Sequence, residues 1–235
     1  MTISTWSYSR LIIFEQCKLR AKLQYVDKIP EPERPLPAGK TEHANERGTR
    51  IHGLAEDFVR SKTEKFPREL KKFEQEFYRL RELYKKDKVS LEGDWGLDHN
   101  WTPTGWMEKN TWGRVKLDAM VMLSKTHGVV IDYKTGKRYG NEIKHAEQGQ
   151  LYQLTALLRN PELQTITVEL WYTDLDELTS MTFTRAQGLR FFNNFNKRAT
   201  DITSATSFPP QPNIFACKWC PYLPSKSGDC VHGVE

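Results

Sequence analysis

The chain has 235 residues, of which 38% are hydrophobic and 28% charged. That suits one domain with extensions around a buried core, and ordinary glycine and proline contents exclude a largely disordered or fibrous chain. There is no run of about 18 apolar residues and no signal peptide, the start being the polar Thr2-Ile3-Ser4-Thr5, so a soluble intracellular protein is expected. The net charge of +5 is concentrated in residues 61–88, where ten Lys/Arg face six Asp/Glu. Such an excess is compatible with a polyanionic partner, and equally with a solvated helix face.

In chain order, Ser7 or Ser9 can cap a first helix that runs to about Asp27. Pro30, Pro32, Pro35 and Pro37 then mark an extended linker. A second helix is expected over residues 45–60, with Ile51, Leu54, Ala55, Phe58 and Val59 in one buried stripe. A third, over 66–86, aligns Phe66, Leu70, Phe73, Phe77, Leu80 and Tyr84. A strand over 89–95 and a tryptophan-rich loop follow. Phe66, Trp101, Trp106 and Trp112 can line a channel or stack on bases, although tryptophans in such loops more often pack.

Residues 115–123 alternate so that Val115, Leu117, Ala119, Val121 and Leu123 share a face and Asp118 takes the other. Residues 124–128 read as a hairpin loop and 129–134 as the return strand, with Val130, Asp132 and Lys134 on one face. If the hairpin is symmetric about Lys125, opposed residue numbers sum to about 250. Asp118 and Asp132 are then direct neighbours with Cβ atoms about 5 Å apart. Two carboxylates that close repel unless a cation lies between them, and Lys134 stands beside them. The set suits divalent-metal chemistry on a phosphate ester, and a one-residue bulge would break it. An Asp and a Lys on an exposed strand are usually solvated charges. Residues 129–132, however, are apolar on both faces, as in a buried strand, so a charge at their end needs a reason. Asn141 can cap a helix to Arg159 with Leu151, Leu154 and Leu158 inward. Strands over 166–173 and 178–183, a helix over 185–199 and a proline- and cysteine-rich tail from Ser207 complete the chain.

The order helix, three strands, helix, strand resembles the PD-(D/E)xK nuclease superfamily, and its RecB-like branch in particular, with the CRISPR-associated iron–sulfur exonucleases and phage-borne relatives. Four short motifs carry the resemblance. Gly48-Thr49-Arg50-Ile51-His52 is similar to its Gly-x-x-x-His helix, and Asp118 to its second-strand aspartate. Asp132-Tyr133-Lys134, followed by Thr135-Gly136, matches Asp-x-Lys, and Gln148-Gly149-Gln150-Leu151-Tyr152 matches Gln-x-x-x-Tyr. The proline of the superfamily name is absent, since Leu117 precedes Asp118. The metal needs the carboxylate and not the proline. The fold class expected is α/β: a restriction-endonuclease-like core with an antiparallel or mixed three-stranded sheet, N-terminal helices and a Cys-rich tail. Expected boundaries are 1–40 for the N-terminal arm, 41–205 for the core and 206–235 for the tail.

The resemblance also implies roles. Asp118 and Asp132 would bind Mg²⁺ or Mn²⁺ through oxygen, with the His52 imidazole and the Tyr133 carbonyl as further ligands. Lys134 would orient the attacking water and offset charge on the phosphoryl oxygens. Gln148 and Tyr152, one turn apart, would border the site and hold Lys134 or the DNA backbone. Without the resemblance, His52 reads as a core histidine bonded to Glu56, and Gln148 with Tyr152 as a helix-edge pair. Glu56 and Glu92 carry little weight as extra acidic groups.

Cys217, Cys220 and Cys230 form a Cys-x-x-Cys with a third thiol ten residues on, and Cys17 is far away. In an intracellular chain this layout favours a metal over disulfides. The family-like arrangement of one cysteine before the core and three after implies a [4Fe–4S] cluster clipping the chain ends together. Zinc, held by four cysteines or by three plus His232, is the alternative. The activity expected is a metal-dependent DNA exonuclease acting on ends or single strands. A structure-specific endonuclease on the same fold and a non-catalytic DNA-processing adaptor are the alternatives. The resemblance implies DNA as partner, recombination or repair proteins as further candidates, no membrane, and the cytoplasm of a bacterial or phage-infected cell. Oligomeric state is left open.

Overall fold

The computed structural model describes residues 2–234. A mixed sheet of seven strands runs β3-β2-β4-β5-β6-β7, with the two-residue β1 paired parallel to β4. The strands are β1 (Trp6–Ser7), β2 (Val89–Leu97), β3 (Pro103–Thr104), β4 (Gly113–Met122), β5 (His127–Lys134), β6 (Thr165–Tyr172) and β7 (Glu177–Thr184). The main-path neighbours are antiparallel except β5 and β6, which are parallel because α5 (Glu142–Arg159) carries the chain across between them. This is the α/β restriction-endonuclease-like arrangement expected, with the sheet extended at both edges.

Helices cover both faces. On one side α3 (Ala44–Val59), a 3₁₀ turn (Arg68–Phe73) and α4 (Glu74–Tyr84) pack Ile51, Phe58, Leu70 and Phe77 onto Val129, Ile131 and Tyr133. On the other, α1 (Tyr8–Gln16), α5 and α7 (Phe192–Ser204) bury Leu11, Leu151, Leu154 and Phe195 against Val115, Leu117 and Val130. With both faces covered, β5 is buried along Gly128–Tyr133, as its apolar run requires. Trp6 lies under β4, where a Cβ on Gly113 would come within 2.7 Å of the indole. Trp101 and Trp112 pack edge-on against Trp6 or tilted to it, and Phe66 stacks on Tyr78. All three pack with neighbouring rings, and of the four aromatic candidates Trp106 and Trp112 border surface grooves.

Several expectations need correction. The first helix does not run to Asp27. It breaks at Cys17, whose backbone is extended (φ −162°, ψ 113°), and resumes as α2 (Lys18–Tyr25). The third helix begins as 3₁₀ because Pro67 precedes it, and α proper starts at Glu74. Residues 185–199 form two helices, α6 (Arg185–Leu189) and α7. Asn141 stands at the α5 N-cap, but its amide donates to the Lys137 carbonyl and does not cap the helix.

The alternation assumed along β4 also fails at Asp118. Val115 and Leu117 pack on the α5 side, whereas Ala119 and Val121 pack on the α3 side, and Leu123 is exposed. β2 does the same, with Leu91 on the α3 side and Leu97 on the other. The register is unbroken, Leu91 pairing with Ala119 and Gly93 with Leu117, but Glu92 and Asp118 between them are unpaired. Glu92 adopts φ +48°, a left-handed conformation that costs a non-glycine residue about 1 kcal/mol or more. The strand pair thus pivots where its two carboxylates lie.

Of the ten cations in residues 61–88, Lys62, Lys71, Arg81 and Lys85 pair with carboxylates.

Candidate active site

The hairpin register is the symmetric one: Ala119 faces Ile131, Met120 Val130, Val121 Val129 and Met122 Gly128. Pairing stops one step before Asp118 and Asp132. Instead the Tyr133 amide, which a continued ladder would direct to β4 backbone, donates to Asp118 Oδ2 at 2.6 Å. The carboxylate fills the gap where the strands part. The two aspartates meet there buried, at 7% and 5% exposure.

Each helical layer sends side chains to this gap. From α3, His52 Nδ1 lies 2.8 Å from Asp118 Oδ1. The alternative partner, Glu56, is bonded to Arg60 one turn on, so the core-histidine alternative, with His52 bonded to Glu56, is not formed. From α5, Gln148 Oε1 accepts from Lys134 Nζ at 2.7 Å, and Gln148 Nε2 donates to the Tyr152 hydroxyl at 2.5 Å. Lys134 Nζ is also 2.5 Å from Asp132 Oδ2. That approach lacks hydrogen-bond geometry, and Asp132 Oδ2 is a buried oxygen without a hydrogen-bond partner among the described residues. The Tyr133 ring packs with Phe77 and Trp171 and edge-on to the His52 ring, 5.7 Å between centroids.

Glu92, given little weight from sequence, joins the group. One ligand atom each from His52, Glu92 and Asp118 lies within 4.8 Å of the others, the only such cluster among the described residues; Asp132 is turned to Lys134 and falls outside it. Lys116 on β4 holds Glu92 at 2.7 Å. No local pattern marks Glu92, because its place depends on the β2–β4 register and on its left-handed backbone.

Electrostatics follow from burial. Desolvation raises the Asp118 pKa, the His52 contact opposes it, and the Asp132 charge adds to the rise. Burial disfavours charge on His52, yet the bond to Asp118 and its negative charge outweigh that and raise the His52 pKa. Burial likewise holds the Tyr152 hydroxyl well above its ordinary value, with Asp132 and Asp118 adding. Tyr152 is therefore a neutral hydrogen-bonding group at physiological pH.

Two further residues fasten the surround. Arg47 on α3 makes paired hydrogen bonds of 2.7 and 2.8 Å to Asp174, and Asp174 Oδ2 also accepts the Gly136 amide at 2.8 Å. Gly48 lets α3 approach the same turn, since a Cβ there would sit 3.3 Å from Thr135 Oγ1. Neither Arg47 nor Asp174 is conspicuous in sequence, because they are 127 positions apart.

Apart from this gap, Cys17, Cys217, Cys220 and Cys230 line one cavity together with Arg20 and His232. The C-terminal segment is tied to the N-terminal one by Tyr222 Oη donating to the Ile29 carbonyl (2.9 Å) and Lys18 N to Gln211 Oε1 (3.0 Å). Among the described residues, no helix is long and apolar enough to cross a membrane.

The family model of the PD-(D/E)XK nuclease superfamily matches residues 5–225. No curated protein matches the sequence. Among solved structures, the crystal structure of SSO0001 is similar over all of this chain and 89% of that one, at 14% identity and a TM-score of 0.52. An alkaline exonuclease (LHK-Exo) from Laribacter hongkongensis is similar over 86% of this chain and 87% of its own, at 11% identity and a TM-score of 0.35.

Proposed function

The chain belongs to the PD-(D/E)XK nuclease superfamily, and from that premise we propose that it is a divalent-metal-dependent DNA exonuclease acting on ends or single strands. The observation that carries the proposal is the meeting of buried Asp118 and Asp132 with Glu92, His52 and Lys134 in one gap of the sheet. Two buried carboxylates are costly without compensating positive charge. The His52–Glu92–Asp118 cluster, with the Asp132 carboxylate ion-paired to Lys134 beside it, suits a hard cation such as Mg²⁺ or Mn²⁺. Asp118, Asp132, Glu92 and His52 would hold it, with the Tyr133 carbonyl as a further donor. When bound, such an ion polarises the phosphate and lowers the pKa of water.

The chain's own groups supply the rest. Lys134, braced by Gln148, orients the attacking water and balances charge on the phosphoryl oxygens. Tyr152 fixes the Gln148 amide through its hydroxyl. His52 anchors one Asp118 oxygen while the Tyr133 amide anchors the other, so the carboxylate is held before any ligand arrives.

The four cysteines hold, on the same proposal, a [4Fe–4S] cluster with a structural role. What supports this is that all four thiols line one cavity, one from the N-terminal segment and three from the tail; zinc is the alternative. Residues 41–205 are then the nuclease core, and 1–40 and 206–235 are arms that the cluster fastens.

The test is incubation of end-labelled single- and double-stranded linear DNA, and of circular DNA, with Mg²⁺ or Mn²⁺. Release of mononucleotides or short products from ends, lost in Asp132→Ala, is expected. Full activity in Asp132→Ala overturns the site, and cleavage of circles at the rate of linear DNA overturns the exonuclease mode.

A further inference from the structure

A groove of about 680 Å³ opens between α1, the Trp106 loop, the start of β4 and the first turns of α5. Its inner end is formed by Lys116, Gln148 and Tyr152, and its outer end by Gln16 and Arg20, which also line the cysteine cavity. Among the described lining residues there is no aspartate or glutamate, but Arg10, Arg20, Arg114 and Lys144 are there.

These four cations differ from many others in the chain. Arg47, Arg50, Arg60, Arg81, Arg138 and Arg198 all pair with carboxylates. In the groove, Arg10 is held by two Thr5 oxygens at 2.6 and 2.8 Å and by the Tyr25 ring. Arg114 is held by the Trp106 carbonyl and ring. Both are positioned without being neutralised. Arg20 keeps a buried Nε with no partner among the described residues. Burial disfavours charge on Arg10, and the nearby Arg114 adds repulsion. Fixed like charges facing one another are an unfavourable arrangement that a bound oxyanion relieves.

We propose that this groove is the track on which single-stranded DNA reaches the candidate site, its phosphates gripped by Arg10, Arg20, Arg114 and Lys144. The proposal rests on the nuclease reading above and names the form of DNA that the site admits. The volume is on the scale of pockets that hold drug-sized ligands, about 300–1,000 Å³, so it takes one or two nucleotides at a time. Trp106 on its wall supplies an aromatic surface beside the phosphate grips, the combination that single-strand tracks use. Because Arg20 borders both cavities, the track passes from the candidate site toward the cysteines.

The test is fluorescence anisotropy of a labelled oligonucleotide against salt. It is read in Asp132→Asn protein without added metal, so binding is measured independently of hydrolysis. Each lost phosphate contact should reduce the slope of log K against log salt by about 0.7 on single strands. Lys144→Gln should therefore lower the slope by about 0.7, and Arg10→Gln with Arg114→Gln by about 1.4. Lys144 is exposed, so its variant folds even if the double variant does not. Lys197→Gln, outside the groove and paired with Asp201, should leave the slope unchanged. Unchanged slopes in the groove variants, an equal change in Lys197→Gln, or tighter binding of duplex than of single strand overturns the track. A protein that binds single strands through these residues but never cleaves would keep the track and reject the nuclease reading.

Discussion

At the scale of single residues, the proposed function separates the groups assigned to a cation from the one assigned to the reaction. Lys134 contacts Asp132 and Gln148 without belonging to the His52–Glu92–Asp118 cluster. Lys134→Ala should leave Mn²⁺ binding, followed by calorimetry, close to wild type while turnover falls about 10²–10³-fold, the usual loss of one electrostatic stabiliser. Glu92→Gln should do the opposite first. Metal affinity should drop by about tenfold or more, with activity partly recovered at high Mn²⁺. Metal affinity unchanged in Glu92→Gln would remove that residue from the ligand set. With His52 as a nitrogen ligand, as proposed, Mn²⁺ should support activity at least as well as Mg²⁺, and His52→Ala should narrow that difference.

At the scale of elements, the position of α3 relative to β4 decides whether His52 reaches Asp118. Arg47–Asp174 and the Gly136 amide pin α3, the turn after Lys134 and the β6–β7 turn at one point. The hydrogen bond from Arg47 holds the Asp174 carboxyl below the ordinary aspartate range. A folded pKa below the unfolded one, about 3.9, gives stability that is complete above that value. It is lost as pH falls through the folded pKa. Asp174→Asn should cost about 1 kcal/mol at neutral pH, given partial exposure, and the difference from wild type should shrink in acid. Chemical denaturation at neutral pH and at about pH 3 would show this, and an equal gap at both would discard the ion pair as its source. The close contact of Gly48 with Thr135 has a related consequence. Gly48→Val must push α3 outward, so cleavage should fall far more than melting temperature.

At the scale of the whole molecule, the break at Cys17 and the path of the tail bring four thiols to one cavity. A clip between the chain ends limits the unfolded chain over nearly its full length, although closure entropy grows only logarithmically with that length. Cys17→Ser should therefore lower the melting temperature and the metal content about as severely as Cys220→Ser. Anaerobically purified protein should be brown and hold about four iron per chain. A colourless protein with one zinc would reject the cluster but keep the clip. Cys17→Ser with unchanged metal and melting temperature would reject the clip.

The β4–β5 hairpin and its symmetric register were legible in sequence because loop symmetry is local, whereas Gln148 and Tyr152 were marked by the family resemblance, and the structure brings them beside Lys134. Periodicity likewise revealed α3, α4 and α5. The helix break at Cys17 was not legible, since residues 8–25 have continuous helical character and the interruption answers a tail two hundred positions away. Nor was the change of layer at Glu92 and Asp118, for alternation assumes a flat strand and the pivot arises where two strands part around a carboxylate. Glu92, the Arg47–Asp174 pin and the uncompensated cations of the groove belong to tertiary structure alone. Each depends on which charges meet across elements and which remain unpaired, and a one-dimensional pattern does not record that.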